Sequence, residues 1–184
     1  TLVDTGGWEV DVAGLDSAVA AQAQAGLEQK LPLLFFSLHE TDTPTRLAAV
    51  RGAAGSKMKV LGVTVLTSLT AEDLSADDHS LSPADLVERR VRQALEAGID
   101  GVVSSPHEAA RARALAVEAG RPDFLIVTPG VRPVGAALDD QARAATPEAA
   151  LQAGATHLVI GRPITAAADP RAAALGIAQD IALI

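Results

Sequence analysis

The 184-residue chain reads as an α/β protein built on a parallel sheet. Short β-branched apolar runs alternate with alanine-rich stretches of helical pattern. The apolar runs are continuous rather than alternating, as strands covered on both faces require. A phrase of helix end, Ala-Gly and then a strand recurs at Ala97-Gly98, Ala119-Gly120 and Ala153-Gly154. It is the αβ turn of a barrel or of a doubly wound sheet.

Taken in order, the apolar runs predict strands over residues 2–4, 33–39, 59–66, 101–104, 124–128 and 157–161. Between them the pattern predicts helices over 15–27, 43–54, 83–97, 106–118, 147–153 and 170–184. Ser82-Pro83 and Thr146-Pro147-Glu148 supply a capping hydroxyl and then proline at the first helical position. Gly98, Gly120 and Gly154 stand just past helix ends, where a left-handed residue is wanted. One polar loop, from Thr70 to Ser82, interrupts an otherwise tight succession, and no linker divides the chain. The count is six strands and six helices, where a closed barrel of this kind has eight of each. Thr1-Leu2-Val3-Asp4 reads as a strand already under way, so two further units are expected before Thr1.

A hydrophobic content of 48% can bury one good core, and a single domain is expected over 1–184. The formal charge of −8 argues against a general nucleic-acid surface but permits a local anion pocket. Cysteine is absent, which excludes disulfides, thiolate nucleophiles and Cys-based metal sites and fits a reducing cytoplasm. Neither a membrane span nor a signal peptide is apparent. His39, His79, His107 and His157 are scattered without ligand spacing, so no metal site is expected. His39 suits a structural role at a strand end, and His107-Glu108 reads as capping chemistry at a helix start. Trp8 is the only tryptophan, too little for a stacking platform for single strands.

Chemistry concentrates in the last third. Two apolar strands each run into a Gly/Pro loop bearing an arginine: Pro129-Gly130-Val131-Arg132-Pro133 and Gly161-Arg162-Pro163-Ile164-Thr165. Glycine lets a backbone approach a phosphate, and a guanidinium makes two-pronged contacts to its oxygens. Each loop alone reads rather as a plain turn with a solvated arginine. Their recurrence on successive strands favours two guanidinium groups converging on one dianion at the sheet's carboxyl end. The long connection from Gly130 to Arg143 suits closure over a ligand, with Gln141 in contact with it or simply opening a helix. Thr67 and Ser68, at the end of another strand, either bond a pyrimidine amide edge or cap their own loop.

From about Arg51 to Ile184 the chain resembles the orotidine 5'-phosphate decarboxylase family. The matching phrases include Leu61-Gly62-Val63-Thr64-Val65-Leu66-Thr67-Ser68, Gly101-Val102-Val103-Ser104-Ser105 and Thr128-Pro129-Gly130-Val131-Arg132-Pro133. Asp140-Gln141-Ala142-Arg143, Thr146-Pro147 and Gly161-Arg162-Pro163-Ile164-Thr165 complete them. The resemblance implies a (β/α)8 TIM-type barrel, of which this chain represents about six βα units, strands 3 to 8. It implies a cytoplasmic homodimer that takes the nucleotides OMP and UMP and needs no cofactor. Thr67 is implied for the pyrimidine, and Arg132, Gln141, Gly161 and Arg162 for the phosphate end and its closing loop.

Residues 1–50 depart from the family pattern. The family's Asp-x-Lys-x-x-Asp motif falls on Asp4-Thr5-Gly6-Gly7-Trp8-Glu9, so Asp4 matches and Gly6 occupies the lysine position. The chain's lysines are Lys30, Lys57 and Lys59, none of them there. Decarboxylation by this chain is therefore expected to be severely impaired. Two other readings stay open: a non-catalytic nucleotide-binding relative or fragment, and another phosphate-binding barrel enzyme such as a pentulose-phosphate epimerase. An open βα array is also expected to expose unpaired sheet edges.

Overall fold

The computed structural model describes residues 33–37, 47, 50, 52–65, 82–133 and 145–183, the first of these as backbone alone. Among the described residues five strands lie side by side in chain order and all pair in parallel. They are β1 (Leu33–Ser37), β2 (Lys59–Val63), β3 (Gly101–Val103), β4 (Leu125–Thr128) and β5 (His157–Leu158). The helices are α1 (Pro83–Glu96), α2 (Ala109–Glu118), α3 (Pro147–Gln152), α4 (Arg162–Thr165) and α5 (Pro170–Ala182). Residues 47, 50, 52 and 53 are also helical, within the predicted 43–54. The predicted strand 2–4 and helix 15–27 lie outside the described residues. Sequential parallel order is what right-handed βα crossovers produce, and it is a partial (β/α)8 barrel.

Burial explains the continuous apolarity of the strands. Val60, Val102 and Ile126 face the helices and share one core with Val91, Ala94, Leu115 and Ala116. Leu61 and Val127 alternate to the opposite face and are buried as well. The amino ends of the strands are pinned by polar side chains. Asp100 accepts from the Val60 amide at 2.9 Å and pairs with Lys59 at 2.9 Å. Thr156 Oγ1 accepts from the Ile126 amide at 2.9 Å and donates to the Ile126 carbonyl at 3.1 Å.

Local chemistry sets the helix ends. Ser82 accepts from the Asp85 amide, Thr146 from Ala149 and Asp169 from Ala172, each followed by proline at the first helical position. At Gly98 the chain turns left-handed (φ 76°), its amide bonds Leu95 and the Ile99 amide bonds Ala94. Gly120 and Gly154 repeat the arrangement, so the recurring Ala-Gly phrase is one closing motif used three times. Helix α2 begins at Ala109 rather than at the predicted residue 106. Ser105 takes the opening turn, accepting the His107 amide on its hydroxyl and the Glu108 amide on its carbonyl. Glu108 stands at the cap without a capping side-chain bond, which corrects the reading of His107-Glu108 as capping chemistry.

Gly101 stands opposite Leu125 where β3 pairs with β4. A Cβ there would lie 2.4 Å from both the Cβ and the carbonyl oxygen of Leu125, and backbone cannot swing aside. Gly101→Ala is expected to destabilise the fold by about 1–3 kcal/mol in urea unfolding, the usual range for overpacking. An unchanged midpoint would show that the two strands separate freely.

On the outer surface Glu88 joins α1 to α2. Arg111 reaches it with Nε and Nη2 at 2.8 Å each, and Arg92 with Nη2 at 3.0 Å. These hydrogen bonds, Arg111 first, hold the Glu88 carboxyl at a pKa of about 2. A depressed carboxylate stabilises the fold above its unfolded pKa and loses that contribution as pH falls from about 4.5 towards 2. Glu88→Gln is expected to flatten this part of the thermal-stability profile, and salt to shrink the difference, because the carboxylate is in contact with solvent. Parallel wild-type and variant melting curves across that range would refute the assignment.

Candidate functional site

The site is built where β4 and β5 end. Val127 pairs with His157 and Thr128 with Leu158, and the Val159 amide still donates to the Thr128 carbonyl at 2.9 Å. Arg132 follows Thr128 by four residues, and Arg162 follows Leu158 by the same four. The ladder therefore sets the two arginine loops at equivalent positions on adjacent strands, at the carboxyl end of the sheet.

The first loop is fixed by its backbone. Gly130 adopts φ 77° and turns the chain sharply after β4. Val131 then bridges to Ala145: the Arg132 amide donates to the Ala145 carbonyl at 2.9 Å, and the Ala145 amide to Gly130 at 3.3 Å. These bonds close the base of the 134–144 excursion. Val131 is fully buried with Ala150 and Ala155, and Leu158 and Ile160 pack against them, so the loop rests on a small core of its own.

Arg132 is only 7% exposed. Its Nη1 donates to the Val131 carbonyl at 3.0 Å, and its Nε is buried without a hydrogen-bond partner among the described residues. A buried guanidinium with an unmet donor is costly, and an anionic oxygen would relieve it. Arg162 stands differently: it is exposed and opens the four-residue helix α4. The sequence reading had only a loop there. The Ile164 and Thr165 amides both return to the Gly161 carbonyl, at 2.9 and 3.0 Å. A Cβ on Gly161 would meet no protein atom within 4 Å. The space beside Gly161 is thus open among the described residues, while its backbone (φ −97°, ψ −100°) lies outside the usual α and β regions and itself favours glycine.

The structure thus sets Arg132, Gly161 and Arg162 on neighbouring loops, with one guanidinium buried and the other exposed. Thr67, Ser68, Gln141, Asp4, Gly6 and His39 lie outside the described residues. His107 is exposed, and His157 is exposed with its Nδ1 3.0 Å from Thr156 Oγ1. Among the described residues no three His, Asp or Glu side chains come together as metal ligands, and no helix is long and apolar enough to cross a membrane.

Sequence reasoning passed over Arg90. It occupies the apolar stripe of α1 beside Leu86, Val87, Val91 and Ala94 and is 4% exposed. Its guanidinium donates to the Thr64 carbonyl. A charged residue in phase with an apolar stripe was the available signal.

The sequence pattern of the orotidine 5'-phosphate decarboxylase / HUMPS family matches residues 18–177. The chain is 64% identical over 135 residues to an orotidine 5'-phosphate decarboxylase of Caulobacter vibrioides, covering 73% of this chain and 58% of that protein. It is 52% identical over 150 residues to the protein of that name from Cereibacter sphaeroides, covering 80% and 62%. Among solved structures, orotidine 5'-phosphate decarboxylase from Lactobacillus acidophilus superposes with a TM-score of 0.71 at 30% identity, over 92% of this chain and 70% of that one. The Methanocaldococcus jannaschii enzyme, solved with the inhibitor BMP, shares the fold at 15% identity, with a TM-score of 0.65 over 90% and 68%. The chain spans 58% of the length of its Caulobacter relative.

An Arg132→Met variant separates the two roles a buried guanidinium can have. Without ligand, its urea midpoint is expected to equal or exceed that of wild type, because a partly unmet buried charge is gone. Inorganic phosphate is expected to raise the wild-type midpoint by mass action and to leave the variant unmoved. A large loss of stability without ligand, or an equal phosphate response in both, would place Arg132 in the scaffold instead.

Proposed function

Because the chain belongs to the orotidine 5'-phosphate decarboxylase / HUMPS family, we propose that it serves the decarboxylation of OMP to UMP, and that its described site holds the phosphate end of that nucleotide. The observation that carries this reading is the unmet Nε of buried Arg132, one strand away from the exposed Gly161-Arg162 turn. Arg132 and Arg162 take the phosphate oxygens from two sides, the bare backbone at Gly161 admits them closely, and Gln141 reaches the nucleotide from the loop stapled at Ala145. Thr67, beyond the end of β2, takes the amide edge of the pyrimidine.

Phosphate contacts are remote from the bond that breaks. Their part is to supply binding energy that orders a closed, dry site around the reacting carbon. Loss of carbon dioxide leaves negative charge on that carbon, which calls for a nearby ammonium to stabilise and protonate it. At the position where the family carries that lysine this chain has Gly6, with Asp4 before it and Glu9 after it. A glycine offers neither charge nor proton. The reading is therefore of a chain that binds OMP and UMP and turns OMP over very slowly. The same reading takes the working assembly as a cytoplasmic homodimer.

Calorimetry with UMP beside a decarboxylation assay tests this. Wild type is expected to bind UMP, and Arg162→Ala to bind it about 1.5–3 kcal/mol more weakly, the worth of a hydrogen bond to a charged group. Gly6→Lys alone is expected to leave turnover near zero. Unchanged affinity in Arg162→Ala would remove the phosphate assignment, and turnover by wild type at the level of its relatives would remove the account of Gly6.

A further inference from the structure

We propose that the open side of β5 and α5 is a docking surface for a βα unit: its strand adds in parallel to the free edge of β5, and its helix covers the side of α5 that bears Leu175.

β5 is the last strand of the sheet, paired with β4 on one side and with no described strand on the other. Its register sets His157 opposite Val127, so both lie on the face turned away from the helices, and Val159 lies on that face two residues further on. Val127 is 8% exposed there, whereas Val159 is 48% exposed. Cover is thus lost at the edge strand. On the other face Leu158 and Ile160 are packed against Val131, Ala150 and Ala155.

The helix layer ends in the same way. α1 and α2 pack on each other and bury apolar side chains, but α5 packs against α4 and buries none of its thirteen residues. Leu175 is 54% exposed. Ala172, Leu175, Ala178 and Ala182 recur every three or four residues down one side of α5, all of them exposed. Small side chains in such a row let a second helix come close.

The two bare surfaces lie at one edge, one on each side of the sheet, so what covers them must bring a strand and a helix together. Every described pairing is parallel, and a strand continuing that order carries its helix to the layer where α5 stands. Length points the same way. The match to the Lactobacillus structure uses 92% of this chain but 70% of that one, so nearly a third of that fold has no counterpart among the matched residues. Units of that kind are what close a barrel of eight.

The probe is a polypeptide of the opening two βα units of the Caulobacter relative, roughly 60 residues at about 30 a unit, added to the full chain. It is expected to raise the chain's urea midpoint by mass action. It is also expected to slow hydrogen exchange at the Leu175, Ile177 and Ile181 amides by about tenfold or more. A variant carrying Val159→Glu and Leu175→Glu is expected to keep nearly the same midpoint by itself and to lose both responses. Its carboxylates meet water in the free chain and apolar side chains in the docked one. Should the polypeptide prove insoluble, the same units joined ahead of Thr1 make the same comparison. No slowing in either form, or equal slowing in the variant, would overturn the proposal. A large fall in the variant's own midpoint would also overturn it, by showing these side chains already packed. Sedimentation that finds the chain dimeric and the variant monomeric would give the surface to a second copy instead.

Discussion

The parallel ladder carried from β2 to β5 is the constraint on which the rest depends. Val63 stands opposite Val103, Val103 opposite Val127, and Thr128 opposite Leu158. One step further along the first three strands brings Thr64, Ser104 and Thr128 into a row, all of them buried. The loop bearing Arg132 starts just beyond that row, and the loop bearing Arg162 starts beyond Leu158, which stands opposite Thr128. Because a parallel strand returns only through a helix, each loop must then drop to the helix layer. The arginine loops at one end and the pinning contacts at the other follow from that geometry. Asp100 and Thr156 do the pinning, and the arginines stand at the opposite end.

Much of this was legible in the residues, and the reasons can be named. Continuous apolar runs mark strands covered on two faces, so the positions of β2, β3 and β4 followed from composition alone. The Ala-Gly phrase marks helix closure because three i-to-i+5 bonds form around Gly98, Gly120 and Gly154, and that requirement is local. Strand ends were less legible. The run over 59–66 looked like a single strand, yet pairing stops at Val63, where Thr64 folds its hydroxyl onto the Val103 carbonyl. Periodicity has no means of registering such a bond. The start of α2 moved to Ala109 for a similar reason: the Ser105 hydroxyl and carbonyl take the first amides.

The site shows the same division. That Arg132 and Arg162 belong to matching loops was readable from the two Gly/Pro loops that each bear an arginine. That one is buried and the other exposed was not, because it depends on a second, small core of Val131, Ala150 and Ala155 formed by residues far apart in the chain. The inward turn of Arg132 follows from that core: with Val131 fully buried and its amide neighbours bridged to Ala145, the next side chain has little freedom of direction. An arginine held this way reaches an anion without first losing much rotamer entropy. Arg162, by contrast, stands exposed at the head of α4.

The far end of the sheet shows how unevenly the apolar residues are used. Helix α1 buries Leu86, Val87, Val91 and Ala94, whereas the thirteen-residue α5 contains no buried residue. Leu175 is 54% exposed, Leu183 88% and Val159 48%. A helix of this length is marginal on propensity alone, and most helical stability in proteins comes from packing an apolar face. Asp169 and Pro170 fix where α5 begins, and contact with α4 holds one side of it. Capping of this kind is worth about 1 kcal/mol, while burying one leucine is worth roughly 1.5–3 kcal/mol. The order of α5 is therefore more sensitive to what covers Leu175 and Val159 than to anything in its own sequence. Arg162 shares this dependence, because α4 is joined to α5 by only a few residues and packs against it.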